Sequence, residues 1–194
     1  MLRLINDILD MSKLESGKMN YKKEKYDLSV VINNAIVELK PLLQDKELQI
    51  STNFIADSSD AVFDRYRITQ VLVNLLSNAI KFSDKGKQIQ IHLSEGYMPD
   101  GNPVLSCSVI DEGPGIPGTE LTTVFNKFTQ GKKIKSGGTG LGLAICREIV
   151  EAHEGMIWVE NVQPRGASFN FCIPRSSVAS VHLGGRRESQ AIGC

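Results

Sequence analysis

One helical stretch, residues 67–82, carries polar side chains at spacings that suit metal and phosphate chemistry. Asn74, Asn78 and Lys81 are four and three residues apart, so they fall on one face of a helix. Amide oxygens are hard ligands for a cation such as Mg²⁺, and an ammonium group attracts phosphate. An ordinary solvated face explains the same polar residues equally well. The other face predicts a buried stripe of Ile68, Val71, Leu72, Leu75, Leu76 and Ala79.

A second candidate site lies where an alternating segment, residues 104–110, ends at Asp111. The sequence DEGPGIP places two glycines and two prolines directly after this carboxylate. A rigid turn of this kind holds the carboxylate in place and lets a planar ligand approach the backbone closely. A turn in which Asp and Gly serve only backbone geometry is the alternative.

A third segment, residues 137–143 with the sequence GGTGLGL, leads directly into a predicted helix. Backbone N–H groups and the positive end of the helix dipole converge there, which suits a phosphate. The segment lacks the GK[ST] of a P-loop, and its last glycine comes one residue early for a dinucleotide fingerprint. Lysines just before it form either a phosphate-facing set or a solvated loop, namely Lys127, Lys132, Lys133 and Lys135.

In their order along the chain, these segments resemble the nucleotide-binding boxes of the histidine kinase branch of the GHKL ATPases. Residues 74–81 are similar to the N box, 111–117 to the G1 box, 124–128 (VFNKF) to the F box and 138–142 to the G2 box. The resemblance extends over residues 1–174, and four ordered motifs at suitable spacing make it specific. It implies the Bergerat-type ATP-binding fold, with ATP and Mg²⁺ as cofactors.

The resemblance also implies roles for individual residues. Asn78 would coordinate Mg²⁺, while Asn74 and Lys81 would support the metal, the phosphates and catalysis. Asp111 would accept a hydrogen bond from the adenine amino group, and residues 126–139 would form a lid over ATP. The complete ATP-binding set implied in this way is Asn74, Asn78, Lys81, Asp111, Gly113, Gly115, Ile116, Phe128, Lys132, Lys133, Thr139, Gly140, Leu141 and Gly142.

The segment after the F box departs from the family pattern. Many relatives carry an arginine there, whereas this chain has Gln130, so Lys132 or Lys133 is expected to replace its contact with the γ-phosphate. Residues 131–138 offer little apolar surface to offset the entropy of ordering them. We therefore expect this segment to be mobile without nucleotide and partly ordered when nucleotide is bound.

The N-terminal segment resembles the end of the second dimerisation helix of a histidine kinase. Its apolar stripe consists of Leu2, Ile5, Ile8, Leu9 and Leu14. We expect residues 1–18 to belong to that helical hairpin, 19–175 to form the catalytic domain and 176–194 to be a disordered tail. A phosphoacceptor box, His followed by an acidic residue and Arg-Thr-Pro-Leu, is expected upstream of residue 1. His153-Glu154 shares only the first two positions of such a box.

The elements that position these residues follow from patterns along the chain. Helices are predicted at 1–16, from the N-cap Asp27 onward, at 67–82, after Pro117 to 128 and at 141–153. The helix that follows Asp27 is expected to carry Val30, Val31, Ile36, Val37 and Leu39. Strands are predicted near 48–55, 61–64, 88–95, 104–111, 156–161 and 167–173. Helices interspersed among strands, with a closing hairpin, predict an α/β fold, a two-layer sandwich of a mixed β-sheet covered on one face by helices.

Composition limits the partners. The 22 basic and 22 acidic residues cancel, so no overall field draws the chain to nucleic acid. No run reaches the roughly 18 apolar residues of a membrane span, which predicts a soluble domain. Cys107, Cys146 and Cys172 lie in apolar runs without metal-ligand spacing, which favours a reducing compartment. The resemblance implies a cytoplasmic domain, whether or not the full-length protein is anchored in a membrane.

Three functions fit these motifs. The resemblance favours a kinase domain that passes the γ-phosphoryl group to a histidine hairpin of the same homodimeric protein, for relay to a response regulator. The alternative is an ATP-hydrolysing clamp of the gyrase, Hsp90 and MutL type, in which a glutamate stands where this chain has Asn74. An amide has no useful basicity, which argues against hydrolysis. A non-catalytic nucleotide-binding regulator is the third.

Overall fold

A computed structural model describes residues 2–16, 19–129 and 140–175 of the chain. The helices are α1 (Leu2–Glu15), α2 (Leu28–Asp45), α3 (Arg65–Phe82) and α4 (Gly142–Ala152). The strands are β1 (Glu24–Asp27), β2 (Gln49–Phe54), β3 (Asp60–Phe63), β4 (Gln88–Tyr97), β5 (Pro103–Asp111), β6 (Met156–Asn161) and β7 (Ala167–Pro174).

Five strands form a sheet in the order β2-β4-β5-β7-β6, and this sheet is mixed, as the sequence predicts. The β2–β4 pair is parallel, and the other neighbours are antiparallel. A separate antiparallel pair joins β1 to β3, with Glu24 opposite Phe63. Strand β1 is absent from the prediction because its sequence, EKYD, has no apolar alternation, so only its distant partner makes it a strand.

The core lies between one face of the sheet and the helices α2, α3 and α4. Helix α3 packs against both other helices and against β5, and all six residues of its predicted stripe are buried. Each large aliphatic side chain buried in this way contributes about 1.5–3 kcal/mol. The sheet contributes Ile89, Ile91, Leu93, Leu105, Cys107, Val109, Phe169, Phe171 and Ile173.

Helix α2 begins after its predicted N-cap, where Asp27 Oδ1 accepts a hydrogen bond from Ser29 N at 2.8 Å. Its predicted apolar face is wrong in part, because Val30 and Val37 are 50% and 69% exposed. The helical repeat that begins at Leu28 leaves both valines off the inward face. That face consists of Leu28, Val31, Ile32, Ala35, Leu39 and Leu43.

The helix predicted after Pro117 is also wrong. Residues 118–128 form successive turns, in which the N–H groups of Glu120, Thr123 and Asn126 donate to carbonyls three residues earlier. The Thr123 side chain also donates to Glu120 O at 3.2 Å, which competes with continuous helix. None of the helices in the described residues is long and apolar enough to cross a membrane.

Candidate nucleotide-binding site

The beginning of α3 is fixed by a buried histidine. The backbone N–H of Asp64 donates to His153 Nε2 at 2.9 Å, and the Asp64 side chain caps α3 by accepting from Arg67 N at 3.1 Å. Because Nε2 must accept, the proton lies on Nδ1, which donates to Ile149 O at 2.7 Å. Burial lowers the pKa of His153. Both ring nitrogens are occupied, so His153 has a structural role and is not placed as a phosphoacceptor.

Helix α1 occupies the first part of the polar face of α3. Asp10 Oδ2 accepts hydrogen bonds from Arg67 Nη1 at 3.1 Å and from Gln70 Nε2 at 2.8 Å. Met11 is buried in the hydrophobic core, whereas Ile8 and Leu9 are each 52% exposed. The predicted stripe of α1 is divided, because Leu14 packs against the core whereas Ile8 and Leu9 are exposed. The contacts of Asp10 leave the second half of the polar face of α3 for a ligand.

That second half contains the three residues predicted first. Asn74 is only 9% exposed, and its Nδ2 donates to the backbone carbonyl of Gly142 at 3.0 Å. A Cβ on Gly142 would lie 2.7 Å from Asn74 Oδ1, so only glycine permits this approach. Asn78 is half-buried one turn further on, and Lys81 is exposed with its Nζ 5.2 Å from the Phe82 ring centroid. The structure thus brings the N box to the start of α4.

The end of α3 is held by a residue that sequence reasoning missed. Lys46 Nζ donates to the carbonyls of Ile80 and Lys81 at 2.8 Å and of Ser83 at 3.0 Å. A positive charge at a helix C-terminus also interacts favourably with the helix dipole. A lysine at the end of α2 has no local sequence signal for this role, because its partners are more than 30 residues away.

Asp111 lies at the end of β5 and is 4% exposed. Its Oδ1 accepts hydrogen bonds from Gly113 N at 2.8 Å and from Ala167 N at 3.3 Å. Burial raises the pKa of this carboxyl group, and the two backbone bonds partly oppose that effect. Within the described part of the chain, Oδ2 accepts no hydrogen bond, so one carboxylate oxygen is fixed and the other can serve a ligand.

The loop that follows Asp111 packs between α3 and the β6–β7 hairpin. A Cβ on Gly113 would lie 2.9 Å from Phe82 O, which places the start of this loop beside the end of α3. Gly115 has a φ of +72°, a conformation that L side chains rarely adopt. The Asn161 side chain contacts Ile116 through two hydrogen bonds of 2.7 and 2.8 Å. Asn161 is a second residue that the motifs did not reveal.

The F box has one buried and one exposed aromatic residue. Phe125 is 7% exposed and packs edge-on against Phe169, with centroids 6.3 Å apart, so it anchors the segment. Phe128 is 72% exposed and its N–H donates to Gly140 O at 2.9 Å, which brings the F box to the G2 box. Leu141 is buried just before α4. Gln130, Lys132, Lys133, Thr139 and most of the predicted lid lie outside the described residues.

Helix α3 therefore joins two ends of one site. Asn74 of α3 contacts Gly142, and Phe82 of α3 contacts Gly113. Phe82 is eight residues after Asn74, which corresponds to about 12 Å along the helix axis. The end at Gly142 offers the N-terminus of α4, which suits phosphate. The end at Gly113 offers a buried carboxylate beside tightly packed backbone, which suits a polar planar base.

Comparison with known proteins agrees with this arrangement. Residues 63–177 match the family model of the histidine kinase-, DNA gyrase B- and HSP90-like ATPases. The chain is 33% identical to the sensor histidine kinase WalK of Bacillus subtilis over 177 residues, which cover 90% of this chain and 28% of that protein. It therefore spans less than a third of that relative's length.

Two solved histidine kinases share the fold. The catalytic domain of ThkA superposes with a TM-score of 0.70 at 31% identity, covering 81% of this chain and 97% of that domain. ThkA has also been solved in complex with the response regulator protein TrrA (TM-score 0.71, 26% identity, 89% of this chain, 48% of that chain). Full-length ShkA in complex with AMPPNP gives a TM-score of 0.75 at 26% identity, covering 89% of this chain and 35% of that chain.

The chain belongs to the histidine kinase-, DNA gyrase B- and HSP90-like ATPases, because that family's model matches more than half of its residues. Within this family it is a sensor histidine kinase catalytic domain, since it covers almost all of the ThkA catalytic domain at 31% identity. It is thus an ATP-binding domain of the GHKL type, as the four ordered motifs predict.

Proposed function

We propose that the chain binds ATP with Mg²⁺ and donates the γ-phosphoryl group to a histidine on the dimerisation hairpin of the same kinase. The observation that carries this proposal is the arrangement around α3. Asn74 contacts Gly142 at one end of the site, and Phe82 contacts Gly113 beside the fixed carboxylate of Asp111 at the other. These two ends suit the triphosphate and the base of one nucleotide.

The base end would recognise adenine through Asp111. Its Oδ2 would accept a hydrogen bond from the exocyclic amino group, while Gly113, Gly115 and Ile116 line the approach. Oδ1 is already held by two backbone N–H groups, so the carboxylate needs no reorientation on binding. Preorganisation of this kind improves affinity because less freedom is lost on binding.

The phosphate end would use α4 and the polar face of α3. Backbone N–H groups of Gly140, Leu141 and Gly142 lie just before and at the first residue of α4, and Lys81 supplies a positive charge from the end of α3. Phe128, and Lys132, Lys133 and Thr139 in the lid segment, complete the proposed set. A relative that shares this fold, full-length ShkA, has been solved in complex with AMPPNP, which supports nucleotide binding by this chain.

Asn78 fits the role of a Mg²⁺ ligand. It is half-buried on α3, one turn from Asn74, and its amide oxygen is a hard donor. In residues 2–16, 19–129 and 140–175, no three His, Cys, Asp or Glu side chains converge on a metal position. A protein site with so few ligands is typical of Mg²⁺ bound mainly by phosphates and water. When bound, the ion would neutralise charge on the phosphates.

In the proposed transfer, a histidine ring nitrogen of the hairpin attacks the γ-phosphorus, the β–γ P–O bond breaks and ADP leaves with that electron pair. The chain would contribute by positioning and charge neutralisation. Asn74 favours this reaction over hydrolysis, because its amide donates to Gly142 O and cannot act as a base towards water. The ATP-hydrolysing clamp is therefore the less favoured function.

The acceptor and later partners are expected to lie on other segments. We propose that residues 1–18 continue a dimerisation hairpin, that 19–175 are the catalytic domain, and that the full protein acts as a homodimer with a response regulator. The ThkA structure with the response regulator protein TrrA supports that last partner. The exposed Ile8 and Leu9 on α1 suit packing against another helix of such a hairpin.

Incubation with γ-labelled ATP and Mg²⁺ tests the proposal. The chain alone should acquire no acid-labile, alkali-stable label, and a fragment with the phosphoacceptor hairpin should become labelled when it is added. The same mixture with Asp111→Asn should transfer far less label at limiting ATP. Labelling of His153 in the chain alone, or rapid hydrolysis without transfer, would contradict the proposed function.

A further inference from the structure

We infer that Asn161 is a positioning residue for nucleotide recognition: it holds the loop after Asp111 against the β6–β7 hairpin and thereby sets the preference for adenine. Asn161 lies outside all four motif boxes, at the end of the edge strand β6. The inference rests on the proposed function, because it assumes that Asp111 contacts the base.

The first support is the geometry between Asn161 and Ile116. Asn161 Oδ1 accepts a hydrogen bond from Ile116 N at 2.8 Å, and Asn161 Nδ2 donates to Ile116 O at 2.7 Å. The side-chain amide thus pairs with both backbone groups of one residue, as a neighbouring strand would. An aspartate could accept but not donate, and an alanine could do neither.

The second support is the position of Asn161 in the hairpin. Asn161 is directly opposite Ala167 in the β6–β7 ladder, and Ala167 N donates to Asp111 Oδ1 at 3.3 Å. One cross-strand pair therefore contacts both ends of the loop, Asp111 on one side and Ile116 on the other. The β6–β7 hairpin therefore fixes both the carboxylate of Asp111 and the loop backbone at Ile116.

The third support is the close packing of the loop between these ends. A Cβ on Gly115 would lie 2.9 Å from Asn161 Oδ1 and 3.2 Å from Gly166 O, so the loop backbone lies directly on the hairpin. Residues 112–117 contain no helix or strand of their own. The position of the loop depends on its contacts, and within residues 2–16, 19–129 and 140–175 only the Asn161 amide holds Ile116 by hydrogen bonds on two sides.

This arrangement has a consequence for base selectivity. Adenine presents an amino donor where guanine presents a carbonyl acceptor, so a carboxylate held in place accepts from the first and repels the second. If the loop is released at Ile116, the base is held less firmly against Asp111. Affinity for ATP should then fall while the already poor affinity for GTP changes little.

The test measures ATP and GTP affinity by competition against a labelled ATP analogue in the presence of Mg²⁺. Asn161→Ala should weaken ATP binding about tenfold, which is within the range for the loss of two neutral hydrogen bonds, and lower the ATP-to-GTP affinity ratio by the same factor. Asn161→Asp keeps the acceptor only, so its ATP affinity and its ATP-to-GTP affinity ratio should lie between those of wild type and Asn161→Ala. Circular dichroism checks that each variant is folded.

A matched control is available at the opposite edge of the sheet. Asn53 is an exposed asparagine on the other edge strand, β2, opposite His92, so Asn53→Ala makes the same change away from the loop. It should leave both affinities unchanged. An unchanged ATP-to-GTP affinity ratio in Asn161→Ala would overturn the inference. If both affinities fall by the same factor, the cause is general destabilisation.

Asp111→Asn separates this inference from the proposed function. If Asp111→Asn leaves the ratio unchanged, Asp111 does not recognise the base and both fail. If Asp111→Asn lowers the ratio but Asn161→Ala does not, only the role of Asn161 fails. In the double variant, Asn161→Ala should lower the ratio no further, because it acts through Asp111. If Asn161→Ala lowers the ATP-to-GTP affinity ratio in the double variant by as much as it does in the single variant, Asn161 acts independently of Asp111 and the inference is overturned.

Discussion

The side-chain amide of Asn74 donates a hydrogen bond to the backbone carbonyl of Gly142 at 3.0 Å, which joins α3 directly to the first residue of α4. Two motifs separated by 68 residues therefore meet at one contact. The contact lies on the core side of the site, since Asn74 is almost fully buried. Asn74 thus positions the start of α4 in addition to any role towards the phosphates.

Gly142→Ala should destabilise the domain. The added Cβ would lie 2.7 Å from Asn74 Oδ1, so the two helices would have to move apart. Overpacking of this kind costs about 1–3 kcal/mol, and urea unfolding should show a loss in that range. ATP affinity should fall as well, because the N-terminus of α4 is displaced.

Gly118→Ala provides the control for that substitution. A Cβ on Gly118 meets no atom within 4 Å, so this change should alter stability by no more than about 0.5 kcal/mol. Equal effects of the two alanines would show that the contact with Asn74 is unimportant.

Asp111→Asn should weaken ATP binding about ten- to a hundredfold, because it would remove the proposed charge-assisted hydrogen bond to adenine. Stability near pH 7 should not fall. Burial raises the folded-state pKa of Asp111, so its favourable contribution exists below the unfolded pKa and is lost as pH rises through the folded value. Calorimetric titration and urea unfolding measure the two effects, and unchanged affinity in a folded variant would contradict the adenine assignment.

Asn78→Ala should remove most of the enhancement of ATP binding by Mg²⁺, since alanine offers no oxygen to the ion. Binding without Mg²⁺ should change little. Titrations of wild type and variant, each with Mg²⁺ and with EDTA, make the comparison. If ATP affinity in the variant still differs between Mg²⁺ and EDTA as much as it does in wild type, the ion is bound elsewhere.

Lys46→Met should destabilise the domain by about 1–3 kcal/mol, because three carbonyls at the end of α3 lose a charged donor. Methionine keeps most of the apolar stem, so the change isolates the ammonium group. Lys40→Met, at an exposed position on α2, is the matched control and should be nearly neutral. Similar unfolding midpoints for the two variants would refute the capping role.

Stability should decrease as pH falls below about 6.5, the usual pKa of histidine. Burial lowers the folded-state pKa of His153, so the contribution of the neutral ring is present above the unfolded pKa and is lost as pH falls through the folded value. Tyr21, Lys23, Asp64 and Glu154 surround this ring. Urea unfolding at pH 7.5, 6.5 and 5.5 should show a loss of up to about 1.4 kcal/mol per pH unit.

His153→Gln should flatten this part of the pH profile relative to wild type. His92→Gln, which leaves His153 in place, should retain it. Identical profiles for His153→Gln and wild type would mean that another group is responsible.

Helix α3 and its polar face could be predicted from the sequence, because helix periodicity is a local property and Ile68 to Ala79 repeat at helical spacing. Asp27 as a helix cap is local in the same way, since it bonds to a residue two positions later. Asp111 and the glycines around Gly140 were recognised because their spacing resembles a family pattern. The wrong prediction of a helix at residues 118–128 also has a local cause, because the order of apolar and polar residues there does not distinguish a helix from successive turns.

Only the tertiary structure decided which distant groups meet. Asn161 and Ile116 are 45 residues apart, and His153 and Asp64 are 89 apart, so no window of sequence contains either pair. Both pairs depend on how the strands are ordered in the sheet and where the helices pack on it. The sequence alone thus determined the motifs that define an ATP-binding kinase domain, whereas the supports that hold them depend on side chains that become neighbours only after the chain folds.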